Sequence, residues 1–200
     1  MLSRFMHAPC KPHMEVALRV LRYLKSSPGQ GLFFPSHNDL SLRAFSDSDW
    51  TGCPISHRST TSYYVFLGSS LISWRIKRQK NVFLSSSEAE YRTMTGACYE
   101  LSWLCSLLTD LRILHSKPTL LYCDNTAALH IAVNLIFHER TTHIEMDCHF
   151  IRDKIQDGSV VTKHIASTDQ LADVFTKPLG KETFSTMIHK LGVLDIHSPT

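Results

Sequence analysis

The apolar residues of this chain follow two different periods, and the switches between them predict most of its elements. In HMEVALRVLRYLKS (residues 13–26), Val16, Val20, Leu21 and Leu24 recur at helical spacing, and Pro28-Gly29 then stops the helix. The segment LSLRAFSDSDW reads as a strand. YYVFLG and LISW, joined around Gly68-Ser69-Ser70, read as a hairpin, and a further strand is expected around Asn81–Leu84. From Ser85 the period changes: Glu90, Met94, Ala97, Leu101, Leu104, Leu108 and Leu111 step by three and four along one helical stripe. TLLYCD (119–124) is a short apolar run of buried-strand type, followed by a short helix over Asn125–Asn134. A helix around Ile144–Gln156, a strand near Val160–Ile165 and a helix opening near Thr168 complete the order. This succession predicts an α/β fold with a mixed five-stranded sheet flanked by helices, preceded by an N-terminal helical appendage.

Composition narrows the class. The 200 residues are enough for one main core, and 43% hydrophobic with 20% charged residues fits a folded globular chain, not a disordered one. A net charge of +3 is too mild to announce a nucleic-acid partner, but its distribution is uneven. Arg75, Lys77, Arg78 and Lys80 form one basic run, and Arg19, Arg22 and Lys25 another at helical spacing. Either run suits a phosphate backbone or a solvated surface. The six cysteines contain no C-x-x-C pair and read as reduced thiols. No leader pattern precedes Lys11 and no apolar run approaches the roughly 20 residues of a membrane helix. The expectation is an intracellular protein without a membrane partner.

Candidate chemistry rests on carboxylates. Asp47 and Asp49 lie on a strand, Glu90 near the start of the long helix, Asp124 at the end of a strand, and Asp173 in a later helix. A set of Asp and Glu oxygens suits a hard ion such as Mg²⁺ without help from His or Cys, and paired Mg²⁺ ions hydrolyse phosphodiesters. Simpler roles compete at each position. Asp124 could cap the helix beginning at Asn125, and Asp47 and Asp49 could be turn residues before Gly52 and Pro54. Asp173 could sit in a first helical turn, with Ser167 and Gln170 spaced as a capping box. Ser87-x-x-Glu90 and Ser85-x-x-Glu88 both fit a capping box too. Glu90, however, falls on the apolar stripe while Glu88 falls with Arg92 and Thr95, and a carboxylate on a buried face needs a partner.

AFSDSDWTGCP, RSTTSYYVFLGSSLISW, SSSEAEYRTM, LLYCDNTAAL, FHERTTHIEMDCHFIRDKI and STDQLADVFTKPL together resemble the ribonuclease H region of copia-type retrotransposon polyproteins. The opening LSRFMHAP and VLRYLK are similar to the stretch joining reverse transcriptase to that region. The resemblance implies a ribonuclease H-like fold and a metal-binding catalytic quartet: Asp47 from FSD, Glu90 from EAEY, Asp124 from YCDN and Asp173 from LAD. It also implies Mg²⁺ or Mn²⁺ as cofactor, an RNA–DNA hybrid as substrate, and reverse transcriptase and the rest of the polyprotein as partners. The domains expected are a remnant of the connection region over 1–40, the nuclease-like domain over 41–180 and a helical tail over 181–200. The chain starts partway through the resembling region and is expected to be a fragment or gene remnant. The loop histidine of many cellular relatives has only a weak counterpart in His164.

His138, His143 and His149, with Arg140 and Arg152, crowd one segment, but spacings of five and six suit no zinc motif, so no structural zinc is expected. His149 and Arg152, three apart, are taken as phosphate contacts beside Lys77, Arg78 and Lys80. Trp74, Trp103, Tyr63 and Tyr64 are expected in the core, leaving Trp50 as a substrate-side aromatic. Two other readings stand beside the enzyme: an inactive remnant that still binds nucleic acid, and an interaction domain.

Overall fold

The structure, a computed structural model, describes residues 5–53, 56–113, 115, 117–134 and 145–197, with side chains of the last stretch from residue 149. The chain divides into two compact units, Met1–Phe33 with Val193–Thr200, and Phe34–Gly192. This division differs from the expected segments 1–40, 41–180 and 181–200. The helix at 181–190 belongs to the larger unit, whereas the strand after it joins the N-terminal segment.

In the smaller unit, helix α1 (Lys11–Ser26) carries Pro12 in its first turn, where a missing N–H costs nothing. None of its residues is buried. Strand β1 (Gln30–Leu32) pairs antiparallel with the terminal strand β7 (Val193–Asp195), Gly31 opposite Leu194. A Cβ on Gly29 would meet Asp195 Oδ1 at 2.2 Å, so a larger residue there would have to push the Asp195 side chain aside.

The larger unit holds β2 (Leu42–Asp49), β3 (Thr60–Leu67), β4 (Ser70–Arg78), β5 (Thr119–Cys123) and β6 (Val160–His164). They form one sheet in the order β4-β3-β2-β5-β6. The first three strands run antiparallel, and β5 and β6 lie parallel to β2. Helices α2 (Ser86–Asp110), α3 (Thr126–Val133), α4 (Glu145–Gln156), α5 (Asp173–Thr176) and α6 (Lys181–Lys190) complete it. β2 is buried along most of its length, as a central strand covered on both faces must be.

Alternation along β2 assigns the two faces. Leu42 and Ala44 join the cluster formed by Val65 of β3, Leu121 and Cys123 of β5, and Met94, Ala97, Leu101, Leu104 and Leu108 of α2. The predicted stripe is therefore the buried face of α2 up to Leu108. Leu111 departs from it, because the helix ends at Asp110 and Leu111, its C-cap, is 61% exposed. On the other face, Phe45 stacks on Tyr122 and meets Phe66 edge-on, while Phe175 of α5 stacks on Tyr64 at 4.5 Å between centroids.

Three expectations need correction. Asn81–Leu84 forms no strand: the chain leaves the sheet after Arg78 and crosses directly to the α2 N-terminus. Trp74 and Trp103 are 52% and 57% exposed, because edge strand β4 and the outer side of α2 leave them facing solvent. Tyr63 and Tyr64 are buried as expected.

The β3–β4 hairpin turns on Gly68, whose φ of +59° places it in the left-handed region. A Cβ there would lie 2.0 Å from the Asp39 carbonyl oxygen, and Asn38 ties the turn by donating to the Leu67 carbonyl and accepting from Ser69 N–H. Gly68→Ala should therefore lower unfolding stability by on the order of 1–3 kcal/mol in denaturant titration. Gly31→Ala, with nothing within 4 Å of its new Cβ, should change it far less. Equal effects would show that the turn has relaxed.

Candidate active site

Parallel pairing of β2 and β5 builds the first half of the site. Their register sets Phe45 opposite Tyr122, so two residues further along both strands Asp47 and Asp124 reach the same carboxyl-terminal edge of the sheet. Open α/β sheets bind ligands at such edges. Asp47 is buried, and Asp124 follows β5 half-buried. The capping role open to Asp124 is taken by its neighbour: Asn125 is the N-cap of α3, its side chain accepting from Ala128 N–H. Asp124 instead accepts a 2.8 Å hydrogen bond from Ser167 Oγ. This bond engages the Ser167 hydroxyl, whose spacing to Gln170 also allowed a capping box.

Asp49 has the same strand parity as Asp47 but a different fate. A Cβ on Gly52 would fall 1.6 Å from Asp49 Oδ2, so the Asp49 carboxylate folds over the turn that Gly52 makes possible. Asp49 is the turn residue and Asp47 the member of the cluster. At the start of α2 the same sorting occurs between the two glutamates. Ser85 is the N-cap and accepts from Glu88 N–H, while Glu88 accepts from Leu84 N–H, so Glu88 serves the cap. Glu90 is left on the buried face, where Oε1 accepts from Ser48 N–H at 3.0 Å and Oε2 lies 3.9 Å from Cys123 Sγ.

The last acid arrives through a clamped loop. Gln170, fully buried, donates to the Ser46 carbonyl at 2.9 Å and accepts from Ala172 N–H, while Ser62 donates to the Ala172 carbonyl. These bonds pin the residues before Asp173 to β2 and β3, and Phe175 anchors the residues after it. Ligand atoms of Asp47, Asp124 and Asp173 then lie within 4.8 Å of one another, as do those of Glu90, Cys123 and Asp124. Asp124 belongs to both groups. Among the described residues these groups include no histidine; His138, His143 and Arg140 lie outside the described residues.

Two residues that the motif reading passed over complete the cluster. Thr176 Oγ1 donates to Asp47 Oδ2. Lys177 Nζ sits 2.6 Å from Asp173 Oδ1 and 3.6 Å from Asp47 Oδ1. The available signal was their spacing: both follow Asp173 by one helical turn, where side chains share a face.

Burial raises the Glu90 carboxyl to about 9, helped by the charge of Asp47. Burial likewise raises Asp173 to about 6, against the opposing hydrogen bond from Lys177, and raises Asp47 in the same direction. Desolvation works against the Lys177 ammonium, but the hydrogen bond to Asp173 and the surrounding carboxylates outweigh it and hold the ammonium above its ordinary value.

The predicted nucleic-acid contacts separate into two kinds. Lys77 and Lys80 are exposed and Arg78 half-buried, and with Arg75 and Arg92 they line a cleft of about 360 Å³ between β4 and α2. Nε and Nη2 of Arg78 are buried there without a hydrogen-bond partner. Arg152 is only 4% exposed and donates to the carbonyls of Ile131 and Asn134, closing the C-terminal end of α3. His149 is exposed on α4, His164 is exposed at the end of β6, and Trp50, 42% exposed, donates Nε1–H to the Phe83 carbonyl.

These protonation states predict an inverted pH profile for the protein in EDTA. Between pH about 4 and about 6 the native carboxyls of both Glu90 and Asp173 hold protons that an unfolded chain, with carboxyls near 4, has already lost, and from about 6 to about 9 Glu90 still does. Stability should therefore fall as pH rises through this window, read as a declining melting temperature. A flat or rising profile would mean that the buried carboxyls ionise freely.

No family model matches the chain. It is 45% identical over 192 residues to the retrovirus-related Pol polyprotein from transposon RE1 of Arabidopsis thaliana, covering 96% of this chain and 13% of that one. It is 46% identical over 195 residues to the corresponding RE2 polyprotein, covering 98% and 13%. The polyprotein from transposon TNT 1-94 of Nicotiana tabacum is 34% identical over 192 residues, with coverage of 96% and 14%. The chain thus spans only 13–14% of the length of these relatives. Its fold is similar to that of the N-terminal RNase H domain of rv2228c from Mycobacterium tuberculosis (TM-score 0.50, 9% identity, 76% of this chain and 98% of that one). It is also similar to LC11-RNase H1 isolated from compost (TM-score 0.51, 14% identity, 76% and 97%). Sequence kinship and fold similarity agree, and this chain belongs with the retrovirus-related Pol polyproteins of transposons, as a segment built on the ribonuclease H fold.

Proposed function

We propose that this segment is a copia-type ribonuclease H domain, an endonuclease for the RNA strand of RNA–DNA hybrids that acts beside the reverse transcriptase of its polyprotein. The observation that carries the reading is the position of Asp124, shared between two overlapping groups of potential ligands at the carboxyl edge of the sheet. The donor set fits Mg²⁺ or Mn²⁺: it is oxygen-rich, and the Cys123 thiol beside it is pushed well above its ordinary value by burial and by Glu90, so it stays protonated. Asp47, Glu90, Asp124 and Asp173 would hold the ions, which supply Lewis-acid polarisation and an activated water when bound. Ser48 N–H orients Glu90, Ser167 orients Asp124 and Thr176 orients Asp47, so each of these three acids enters with one oxygen already fixed.

Lys77, Arg78 and Lys80 are assigned to the phosphate backbone, and their gathering with Arg75 and Arg92 along one cleft, with Lys77 and Lys80 exposed, supports this. His149, exposed on α4, remains a second candidate contact. Arg152, committed to the α3 carbonyls, is left out of the interface. Such phosphate contacts grip any duplex, so recognition of the RNA strand falls to groups reading its 2′-hydroxyls.

Purified protein incubated with end-labelled RNA–DNA hybrid should cut the RNA strand with Mg²⁺ or Mn²⁺ and not in EDTA. Asp124→Asn should lower the rate by more than the roughly 100-fold that follows loss of an outer-shell metal partner, while hybrid binding stays near wild type. Protein that binds hybrid and never cuts it would instead be the inactive remnant, and equal cutting of RNA–RNA or DNA–DNA would refute hybrid specificity. Replacing Lys77, Arg78 and Lys80 together with Ala should weaken binding to all duplexes. In filter-binding assays it should reduce the slope of log affinity against log salt by roughly one for each phosphate no longer gripped. An unchanged slope would remove this run from the interface.

A further inference from the structure

Crowded carboxylates need positive charge close by, and Lys177 provides it here. Its ammonium bridges Asp173 Oδ1 at 2.6 Å and Asp47 Oδ1 at 3.6 Å, two of the three residues in one potential ligand group. Both carboxylates are nearly fully buried, whereas the Lys177 side chain is 41% exposed. The acids therefore have fixed positions, and the lysine keeps a path to water. Its backbone favours such movement: Lys177 is the C-cap of α5, with extended φ and ψ of −114° and 141°, and Pro178 follows it. The side chain leaves from the helix end, outside the packed turn.

We infer that Lys177 is a built-in counter-cation that bridges Asp47 and Asp173 in the metal-free protein and withdraws when a divalent ion binds, so that it sets the metal affinity of the site. The inference rests on the metal-dependent reading above. An ammonium at 2.6 Å from Oδ1 occupies the Asp173 carboxylate, a group that an ion held by Asp47, Asp124 and Asp173 would use. It also has the same sign as that ion, at a separation where like charges repel strongly away from bulk water. Ion and ammonium thus compete for the same carboxylates, and whatever stabilises one state is subtracted from the other.

The test is calorimetric titration of the full chain with Mn²⁺ alone, comparing wild type, Lys177→Met and Lys177→Arg. Lys177→Met should bind Mn²⁺ roughly tenfold more tightly than wild type or better, within the usual range of coupling between competing ligands. Lys177→Arg should bind no more tightly than wild type, because it keeps the competing charge. In EDTA, Lys177→Met should melt below wild type, and saturating Mn²⁺ should close the gap. Wild-type binding with equal or weaker binding by Lys177→Met overturns this inference and leaves the metal-dependent reading standing. Absence of Mn²⁺ binding by both proteins overturns the metal-dependent reading and the inference with it. Should Lys177→Met not fold in EDTA, acetylation of wild type followed by mass spectrometry decides: Mn²⁺ should speed modification of Lys177, and an unchanged rate overturns the displacement.

Discussion

Holding ligand oxygens of Asp47, Asp124 and Asp173 within 4.8 Å of one another, with Glu90 beside them, sets like charges against each other in a partly desolvated place. Left to themselves such groups would separate or take up protons. The larger unit prevents separation through attachments that bear on backbone as much as on side chains. The parallel register of β2 and β5 fixes Asp47 and Asp124, the buried face of α2 carries Glu90, and Gln170 ties the loop before Asp173 to Ser46. Proton uptake relieves part of the remaining repulsion, as the raised carboxyl of Glu90 shows, and the Lys177 ammonium offsets another part.

A second regularity is that three acids of the cluster have a neighbour that takes over their local duty. Glu88 serves the α2 cap and Asn125 the α3 cap, while Asp49 fills the turn over Gly52. Each substitute is one or two residues away. Capping and turn bonds are worth about 1 kcal/mol each and would otherwise compete for the carboxylates. The pairs Asp47/Asp49, Glu88/Glu90 and Asp124/Asn125 thus divide folding from chemistry between adjacent polar residues.

The cations divide along a similar line, by burial. Arg152 meets main-chain carbonyls at the end of α3, a place where a guanidinium satisfies acceptors that the helix leaves open. Lys77 and Lys80 stand on and just beyond an edge strand with their charges in water, around the half-buried Arg78. Lys177 lies between these cases, with its ammonium on buried carboxylates and its stem reaching solvent. Residue type does not distinguish the three situations, because each is set by what the fold packs around the terminal nitrogen.

By itself the sequence determined the five strands of the main sheet and the helices between them, though it also suggested a strand at Asn81–Leu84 that does not form, together with the buried stripe of α2, the hairpin at Gly68 and the preference for Glu90 over Glu88. These follow from periodicity and turn chemistry, which act over a few residues and leave their mark locally. It also marked Asp47, Asp124 and Asp173, through extended motifs that carry a family resemblance. Strand parity left Asp47 and Asp49 equivalent and the resemblance alone preferred Asp47; only the tertiary structure decided that Asp124 is free of capping, that Arg152 is buried, and that Thr176 and Lys177 reach Asp47. It also paired the last strand, Val193–Asp195, with Gln30–Leu32 across the length of the chain. Those outcomes depend on strand register and on loops clamped from 110 to 129 residues away, as the bonds from Ser62 to Ala172, from Gln170 to Ser46 and from Thr176 to Asp47 show. Bonds at that separation impose no period on the sequence, and the side chains that make them look like any other polar residues until the sheet brings them together.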